Sequence, residues 1–509
     1  MTEMLKKIIS YPKILLFLAG GISTFALPPY YHIWILLLTF MALSFFLQKA
    51  ESYKQSFVFG YWFGFGFFSA GLSWLANALA MDIVSFGWLI PIALGASGAF
   101  FGLFFGVPAL LSHYFKNVYS KIIIFAVSIA FFEWIRSFLF TGFPWNLWGS
   151  VFAFNHLWLQ SASIFGTYGL SVFLIMIMMF PSAILILPHR KNAFIGIGLS
   201  LLIVVTMFCF GFWRTAKLDN DNKSGISIRI VQPSIPQNLK WSKEDLEQNF
   251  ADYIELSQAK GFETANVVIW GETASTFPLA LSSSRMLQIL PAIPDDGFLI
   301  TGSIDYFPAG DDWQPVNAGL VFQHGKGLIA NYAKSHLVPF GEYIPFRRYL
   351  PESLRPITGF ISDFKAGNGV QSFSTDKLPP FGLLICYEVI FPAEVVDKNN
   401  RPQWLINLTN DGWYGKSSGP YQHLVTAQLR AVEEGLTVVR AANSGVSAII
   451  SRSGKVLNQI GLHERGNLDA FLPKDLEIVT PYSKHNNLYF FALSLLLVVF
   501  AFFVSELLR

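Results

Sequence analysis

Phe381-Gly-Leu-Leu-Ile-Cys-Tyr-Glu-Val-Ile-Phe391 decides the reading of this chain, because a strand-like apolar run breaks into polar residues at a thiol. A strand of that kind is buried and rigid, so a group at its end is held still and presented, as a nucleophile must be. The chain holds 2 cysteines. The other, Cys209, lies in Leu201-Leu-Ile-Val-Val-Thr-Met-Phe-Cys-Phe-Gly-Phe212, a stretch apolar enough to sit inside a bilayer. Two thiols in such different settings are poor disulfide partners, so Cys386 is expected to be free. Alone it would read as a small buried hydrophobe; its company decides otherwise.

Moving outward, 53% hydrophobic residues, 14% charged and a mean hydropathy of +0.45 over 509 residues indicate an integral membrane protein. The apolar character is uneven. Residues 1–213 are expected to form a transmembrane bundle of seven helices, 214–485 a globular domain, and 486–509 a closing anchor. The eight predicted spans cover 12–29, 33–48, 56–79, 87–113, 121–140, 162–187, 192–213 and 487–507, each near the ~20 residues needed to cross ~30 Å of hydrocarbon. The first follows Lys6 and Lys7 like a signal peptide, but further spans follow it, so it reads as an uncleaved helix.

Charge sets the orientation. Lys6, Lys7, Lys13, Lys49, Lys54, Lys116, Lys121, Arg190, Lys191 and Arg509 fall at the N-terminus, the C-terminus and alternate loops. The opposite short loops, near 30–32, 80–86 and 141–161, carry no Lys or Arg, which puts both termini in the cytoplasm and the large domain outside. That domain has 25 Lys and Arg against 28 Asp and Glu, so the chain's net +3 comes from the membrane part and is no argument for nucleic acid. Within the fifth span, Glu133 and Arg136 sit at i and i+3; they either neutralise each other or line a polar site near the outer surface. Trp145 and Trp148 in Thr141-Gly-Phe-Pro-Trp-Asn-Leu-Trp-Gly149 read as an interfacial aromatic belt.

In the domain, strand candidates alternate with helical or loop stretches: 226–231, 267–270, 298–301, 318–322, 382–385, 404–407, 437–440 and 447–450. Apolar strands ending in polar residues predict an α/β layered fold with its site at the strand ends. Three strand ends carry reactive groups: Glu272 in Val267-Val-Ile-Trp-Gly-Glu-Thr-Ala274, Lys334 and Glu342 in Ile329-Ala-Asn-Tyr-Ala-Lys-Ser-His-Leu-Val-Pro-Phe-Gly-Glu-Tyr-Ile-Pro345, and Cys386. A Glu or Lys by itself is usually a solvated surface charge. A carboxylate base, an ammonium and a thiol together satisfy the logic of covalent acyl transfer. There is no Gly-x-x-x-x-Gly-Lys motif for a nucleotide, and two distant cysteines exclude a thiolate zinc site. His423 reads as structural. No cofactor or metal is expected. The apolar residues Leu350, Leu354, Ile357, Phe360, Ile361 and Phe364, between Phe346 and Phe364, suggest a lid dipping into the outer leaflet.

The ordered set Trp270-Gly-Glu272, Tyr332-Ala-Lys334 and Ile385-Cys386-Tyr387-Glu388 resembles the nitrilase, or carbon-nitrogen hydrolase, superfamily. The resemblance continues through Asn407-Leu-Thr-Asn-Asp-Gly-Trp413, Gln422-His423 and Arg440-Ala-Ala-Asn-Ser-Gly445. With the spans, Glu133-Trp-Ile-Arg136, Gly142-Phe-Pro-Trp145 and His336-Leu-Val-Pro-Phe-Gly-Glu-Tyr343, the chain looks like the superfamily's membrane-embedded branch, the apolipoprotein N-acyltransferases. Gly271 stands where that pattern has Pro, a change of loop stiffness more than of chemistry.

The resemblance implies an αββα sandwich placed in the periplasm on an α-helical bundle in the bacterial inner membrane. It implies transfer of an acyl chain from a phospholipid to Cys386 as a thioester, then to the N-terminal amine of a diacylglyceryl-cysteine apolipoprotein. Glu272 would be the base, Lys334 the oxyanion stabiliser and Cys386 the nucleophile. Glu342 and Glu388 would support them, the Tyr387 amide would complete the oxyanion hole, and Trp241 would lie near the site. Two other readings remain open at this point: a membrane-anchored amidase, against which eight spans weigh, and a lipid-binding or transport scaffold with a dead enzyme domain, against which the intact Glu272, Lys334 and Cys386 weigh.

Overall fold

The computed structural model describes residues 11–188, 190–218, 223–309, 312–349, 363–474 and 478–507. Contacts divide the chain into two compact units, Met1–Leu218 with Thr480–Arg509, and Asp219–Val479.

The first unit is helical. Its principal helices are α1 (Pro12–Ser23), α2 (Trp34–Lys49), α3 (Tyr53–Gly71), α4 (Leu89–Ser112), α5 (Val118–Arg136), α6 (Ala162–Met179) and α7 (Arg190–Leu218). A helix lies at each of these predicted spans. Five helices among the described residues are long and apolar enough to cross a membrane: Leu89–Ser112, Val118–Arg136, Ala162–Ile186, Phe194–Leu218 and Leu488–Glu506. The first three predicted spans fall short of that measure. Pro12–Ala26 and Trp34–Lys49 are shorter apolar helices, and α3 stops at Gly71 instead of 79. For α3, which is long enough, the cause lies in composition. α3 carries Gly60, Gly64, Gly66 and Gly71, which lower its hydropathy but let neighbouring backbones approach. A Cβ at Gly66 would collide with the carbonyl of Phe17 in α1, and one at Gly20 with that of Phe63 in α3.

Two expectations for this unit change. Lys121 is not a loop charge: it is buried within α5, and its Nζ donates to the Leu47 carbonyl at 3.1 Å. Trp145 and Trp148 are not an interfacial belt, since each is only 1% exposed. Trp148 stacks on Phe67 with centroids 4.3 Å apart, and Trp145 packs on Trp74 at 4.9 Å. Glu133 and Arg136 hold the segment that carries these rings. The Glu133 Oε1 accepts the Trp148 N–H at 2.8 Å, and the Arg136 Nη1 donates to the Trp145 carbonyl at 2.7 Å. The Arg136 guanidinium also lies over the Phe68 ring at 4.9 Å.

The second unit is built from two six-stranded sheets. One has the order β12-β1-β2-β3-β4-β5, from Gly466–Pro473, Lys223–Gln232, Val267–Trp270, Phe298–Ala309, Asp312–Gln323 and Gly327–Ala333. The other has the order β11-β10-β9-β8-β7-β6, from Val456–Ile460, Ser447–Ile450, Thr437–Ala442, Trp404–Thr409, Phe381–Ile385 and Gln371–Phe373. Strands β1, β2 and β3 are parallel neighbours, as are β7, β8 and β9. The core lies between the sheets: Ile228, Ile230, Ile269 and Ile300 from one meet Leu383, Ile385, Ile406 and Val439 from the other. Residues buried on both faces read as continuous apolar runs, which is why the central strands are visible in the sequence. Helix α8 (Leu246–Ser257) places Phe250 and Tyr253 against Val268 and Trp270 on the outer face of the first sheet. Helix α9 (Gly419–Glu434) packs on β9 and β10 of the second. The layers are thus αββα. In the first unit, α10 (Leu488–Leu507) follows the domain and packs on α5, where Ser120 Oγ donates to the Ala501 carbonyl at 2.8 Å.

The residues expected to form a lid lie mostly outside the described residues, Leu350, Leu354, Ile357, Phe360 and Ile361 among them. Of those described, Phe346 and Tyr349 are exposed. Phe364 is buried against Ile304 and Leu337, so it anchors the segment's end instead of contributing exposed apolar surface.

Candidate active site

Each candidate triad residue sits just beyond a strand of the sandwich. Glu272 follows β2 after Gly271, Lys334 follows β5, and Cys386 follows β7. Gly271 gives the Glu272 turn room to lie against β8 and β9, since a Cβ there would be 3.0 Å from the Thr409 carbonyl oxygen and 3.1 Å from the Asn443 nitrogen. The Glu272 N–H donates to that Thr409 carbonyl at 3.3 Å, joining the turn of one sheet to a strand of the other.

The structure brings Glu272, Lys334 and Glu342 into one buried cluster. The Lys334 Nζ lies 2.9 Å from Glu342 Oε1 and 3.5 Å from Glu272 Oε1. Asn317 Nδ2, from β4, donates to the same two oxygens, at 2.7 Å to Glu272 and 2.9 Å to Glu342. The second Glu342 oxygen accepts the Val338 N–H at 2.7 Å. Burial acts to lower the Lys334 ammonium, but the charges of Glu342 and Glu272 outweigh it and hold it well above the usual lysine range. It is a fixed cation.

Cys386 is buried and opens a single 3₁₀ turn, Cys386–Ile390. Its backbone φ is +50°, in the left-handed region that a side-chain-bearing residue enters only when its surroundings enforce it. Burial pushes the thiol up, with Glu272 and Asp411 acting the same way and Lys334 and the Asn410 backbone N–H opposing. The resting sulfur is therefore a thiol, and it needs a base to become a nucleophile.

Glu388 takes no direct hydrogen bond from Lys334 in this arrangement; it ties down the residues that flank it. One oxygen accepts from the Tyr332 hydroxyl at 2.6 Å and the Ser335 N–H at 2.7 Å, and the other accepts from the Ile385 N–H at 2.6 Å. One carboxylate thus joins the end of β5 to the end of β7. Tyr387 is buried, with its ring against Phe391 at 5.1 Å and His336 at 5.7 Å. Trp241 packs on the cluster of Ile304, Leu337 and Phe364.

Several residues gained their place only from the fold. The Cys386 carbonyl lies 3.1 Å from His423 Nε2, and His423 Nδ1 lies 2.8 Å from Asp411 Oδ1. Arg440 Nη2 donates to the other Asp411 oxygen at 2.7 Å, and its Nη1 donates to Asn407 Oδ1 at 2.5 Å. Despite burial, which acts the other way, Arg440 and His423 hold the Asp411 carboxyl below its usual value. These are the polar positions of the runs 407–413, 422–423 and 440–445, and they converge behind the nucleophile. Lys240 is also buried at the site, next to Glu272. Its signal was a lysine one residue before Trp241, which reads as a surface charge.

The carbon-nitrogen hydrolase family matches residues 227–477, and the apolipoprotein N-acyltransferase N-terminal domain matches residues 19–180. The apolipoprotein N-acyltransferase of Rickettsia typhi is 35% identical over 97% of this chain and 98% of its own length. That of Rhodopseudomonas palustris is 33% identical over 90% of this chain and 89% of its own. Among solved structures, an amidase from Nesterenkonia sp. aligns at 20% identity with a TM-score of 0.36, covering 50% of this chain and 92% of that one. Both family matches fall in order along one chain, and the relatives align with it nearly end to end. The chain belongs to the apolipoprotein N-acyltransferase family.

Proposed function

We propose that this chain transfers an acyl chain from a membrane phospholipid, through a thioester on Cys386, to the N-terminal amine of diacylglyceryl-cysteine in apolipoproteins. The observation that carries the reading is the meeting of a carboxylate, a locked ammonium and a protonated thiol at three strand ends. The relatives' name, apolipoprotein N-acyltransferase, supports N-acylation of an apolipoprotein as the outcome.

In the first half-reaction Glu272 takes the Cys386 proton, and the sulfur attacks the ester carbonyl of the phospholipid. Lys334, with the Tyr387 amide, takes the charge on the carbonyl oxygen. The intermediate collapses by breaking the ester C–O bond, and Glu272 returns the proton to the departing lysophospholipid oxygen. In the second half the amine attacks the thioester, Glu272 takes its proton, the C–S bond breaks and the thiol is reprotonated. A thioester is activated enough to acylate an amine, so no nucleotide is consumed. Glu342 and Asn317 keep Lys334 and Glu272 apart from bulk water and in register. In this reading all eight apolar segments cross the bacterial inner membrane, both termini are cytoplasmic, and the catalytic domain is periplasmic, as the loop-charge asymmetry supports.

The test uses the intact protein with phospholipid and no acceptor. It should gain one acyl mass on Cys386, removable by hydroxylamine, release about one lysophospholipid per enzyme, and then stall. A diacylglyceryl-cysteine peptide with a free amine should discharge the thioester, and its N-acetylated form should not. Glu272→Gln should slow acylation by roughly 10²–10⁴-fold, and Cys386→Ala should abolish both steps. Continuous fatty-acid release without an amine would replace transfer by hydrolysis.

A further inference from the structure

Lys240 is 2% exposed and lies in the segment Gln237-Asn-Leu-Lys-Trp241. Its Nζ donates to the Glu272 main-chain carbonyl at 3.0 Å and to the Thr273 hydroxyl. Both acceptors belong to the turn that carries the base, and Thr273 has a φ of +46°. Both are also neutral. An ammonium is a costly group with which to hold a turn, because taking it out of water is repaid only by nearby negative charge.

That charge is present. Lys334 is shared between two carboxylates, Glu272 and Glu342, so this buried cluster holds two acids to one cation. Lys240 is the second cation beside it, and the groups that act on it electrostatically are Glu272 after β2 and, once ionised, Cys386 after β7. These are the donor and acceptor of the proton transfer that opens the reaction. As the proton moves from sulfur to carboxylate, negative charge shifts from one of Lys240's electrostatic partners to the other.

We propose that Lys240 is a positioning residue of the active centre, whose ammonium fixes the Glu272–Thr273 turn and balances the second buried carboxylate, so that the thiol can give up its proton. The inference rests on the acyl-transfer reading for the role of Glu272. Lys240 differs from Lys334 in its hold on its own proton. Burial pulls it down to about 8, with Glu272 and Cys386 opposing, whereas Lys334 is pushed up. Lys240 therefore carries its charge at neutral pH and loses it as pH rises through about 8. Acylation should weaken over that interval while Lys334 stays charged.

The experiment uses the full-length protein in lipid nanodiscs, with single-turnover thioester formation from phosphatidylethanolamine and alkylation of Cys386 by iodoacetamide as separate readouts. Wild type should show an alkaline fall in acylation centred near 8. Lys240→Arg, which keeps its charge, should retain the rate at pH 7 within about threefold and move that fall upward by more than one pH unit. Lys240→Met should lower both acylation and alkylation at pH 7 by about 10–100-fold, the range expected for a partner of a reacting group. Lys240→Met rates within twofold of wild type between pH 6 and 9, or a Lys240→Arg profile whose alkaline fall stays near 8, would overturn the proposal. If wild type forms no thioester with phospholipid while alkylation still depends on Lys240 in this way, the substrate reading falls and this inference stands.

Discussion

The left-handed backbone of Cys386 costs on the order of 1–3 kcal/mol for a residue with a side chain, so something must hold it. His423 is placed to do so, with one ring nitrogen 3.1 Å from the Cys386 carbonyl and the other 2.8 Å from Asp411. Arg440 in turn holds Asp411. His423→Ala should leave that carbonyl only its 3.5 Å contact with Asn407 Nδ2 and slow thioester formation by about 10–100-fold, the range expected for loss of a group that supports a reacting residue. His423→Gln, whose amide can still donate, should recover part of the rate; single-turnover acylation reads both. Equal rates for Ala, Gln and wild type would assign the strain to another support. The triad itself was legible residue by residue, since Glu272 and Cys386 each stand at the polar break of an apolar run and Lys334 closes the Tyr332-Ala-Lys334 motif. Asn317, His423 and Asp411 were not, because a polar side chain gives no sign in sequence of which backbone atom it will meet.

At the scale of elements, eight central strands of the sandwich were read from apolar runs, and the four not read that way are β5, of which only the end at Lys334 was placed, β6, β11 and β12. These are the outermost strands of the two sheets. An edge strand has a partner on one side only and need not be buried on both faces, so its sequence loses the apolar run that marks a central one. β11 shows this in a burial pattern that is exposed at Leu457, Asn458 and Gln459. In the helical unit, the 141–149 segment is held by α5 instead of lying at an interface. Removing the carboxylate by Glu133→Ala should strand the buried Trp148 N–H and cost about 1–3 kcal/mol, read as a lower thermal midpoint in detergent. Trp134→Ala, on the same helix but with no hydrogen bond to that segment among the described contacts, should leave the segment's protease resistance unchanged, whereas Glu133→Ala should reduce it. A Glu133→Ala protein as stable and as resistant as wild type would show that ring packing alone holds the segment.

For the whole molecule, orientation rests on loop charge, and the loss of Lys121 from the loops leaves the asymmetry in place. In a chain with its native cysteines replaced, a cysteine near Lys54 should be shielded from an impermeant thiol reagent in spheroplasts, and one near Ser417 should be labelled. The reverse pattern would invert the topology. The sequence by itself determined the division into an apolar helical part and a globular domain, the central strands, and the three reactive groups, because burial and periodicity are written in residue type along a short stretch of chain. Only the tertiary structure decided what those groups meet. The pairing of Lys334 with two carboxylates, the buried cation at Lys240 and the brace behind Cys386 join residues from distant stretches of the chain. Such contacts depend on how strands from two sheets pack, and packing is a property of the folded volume instead of any one segment.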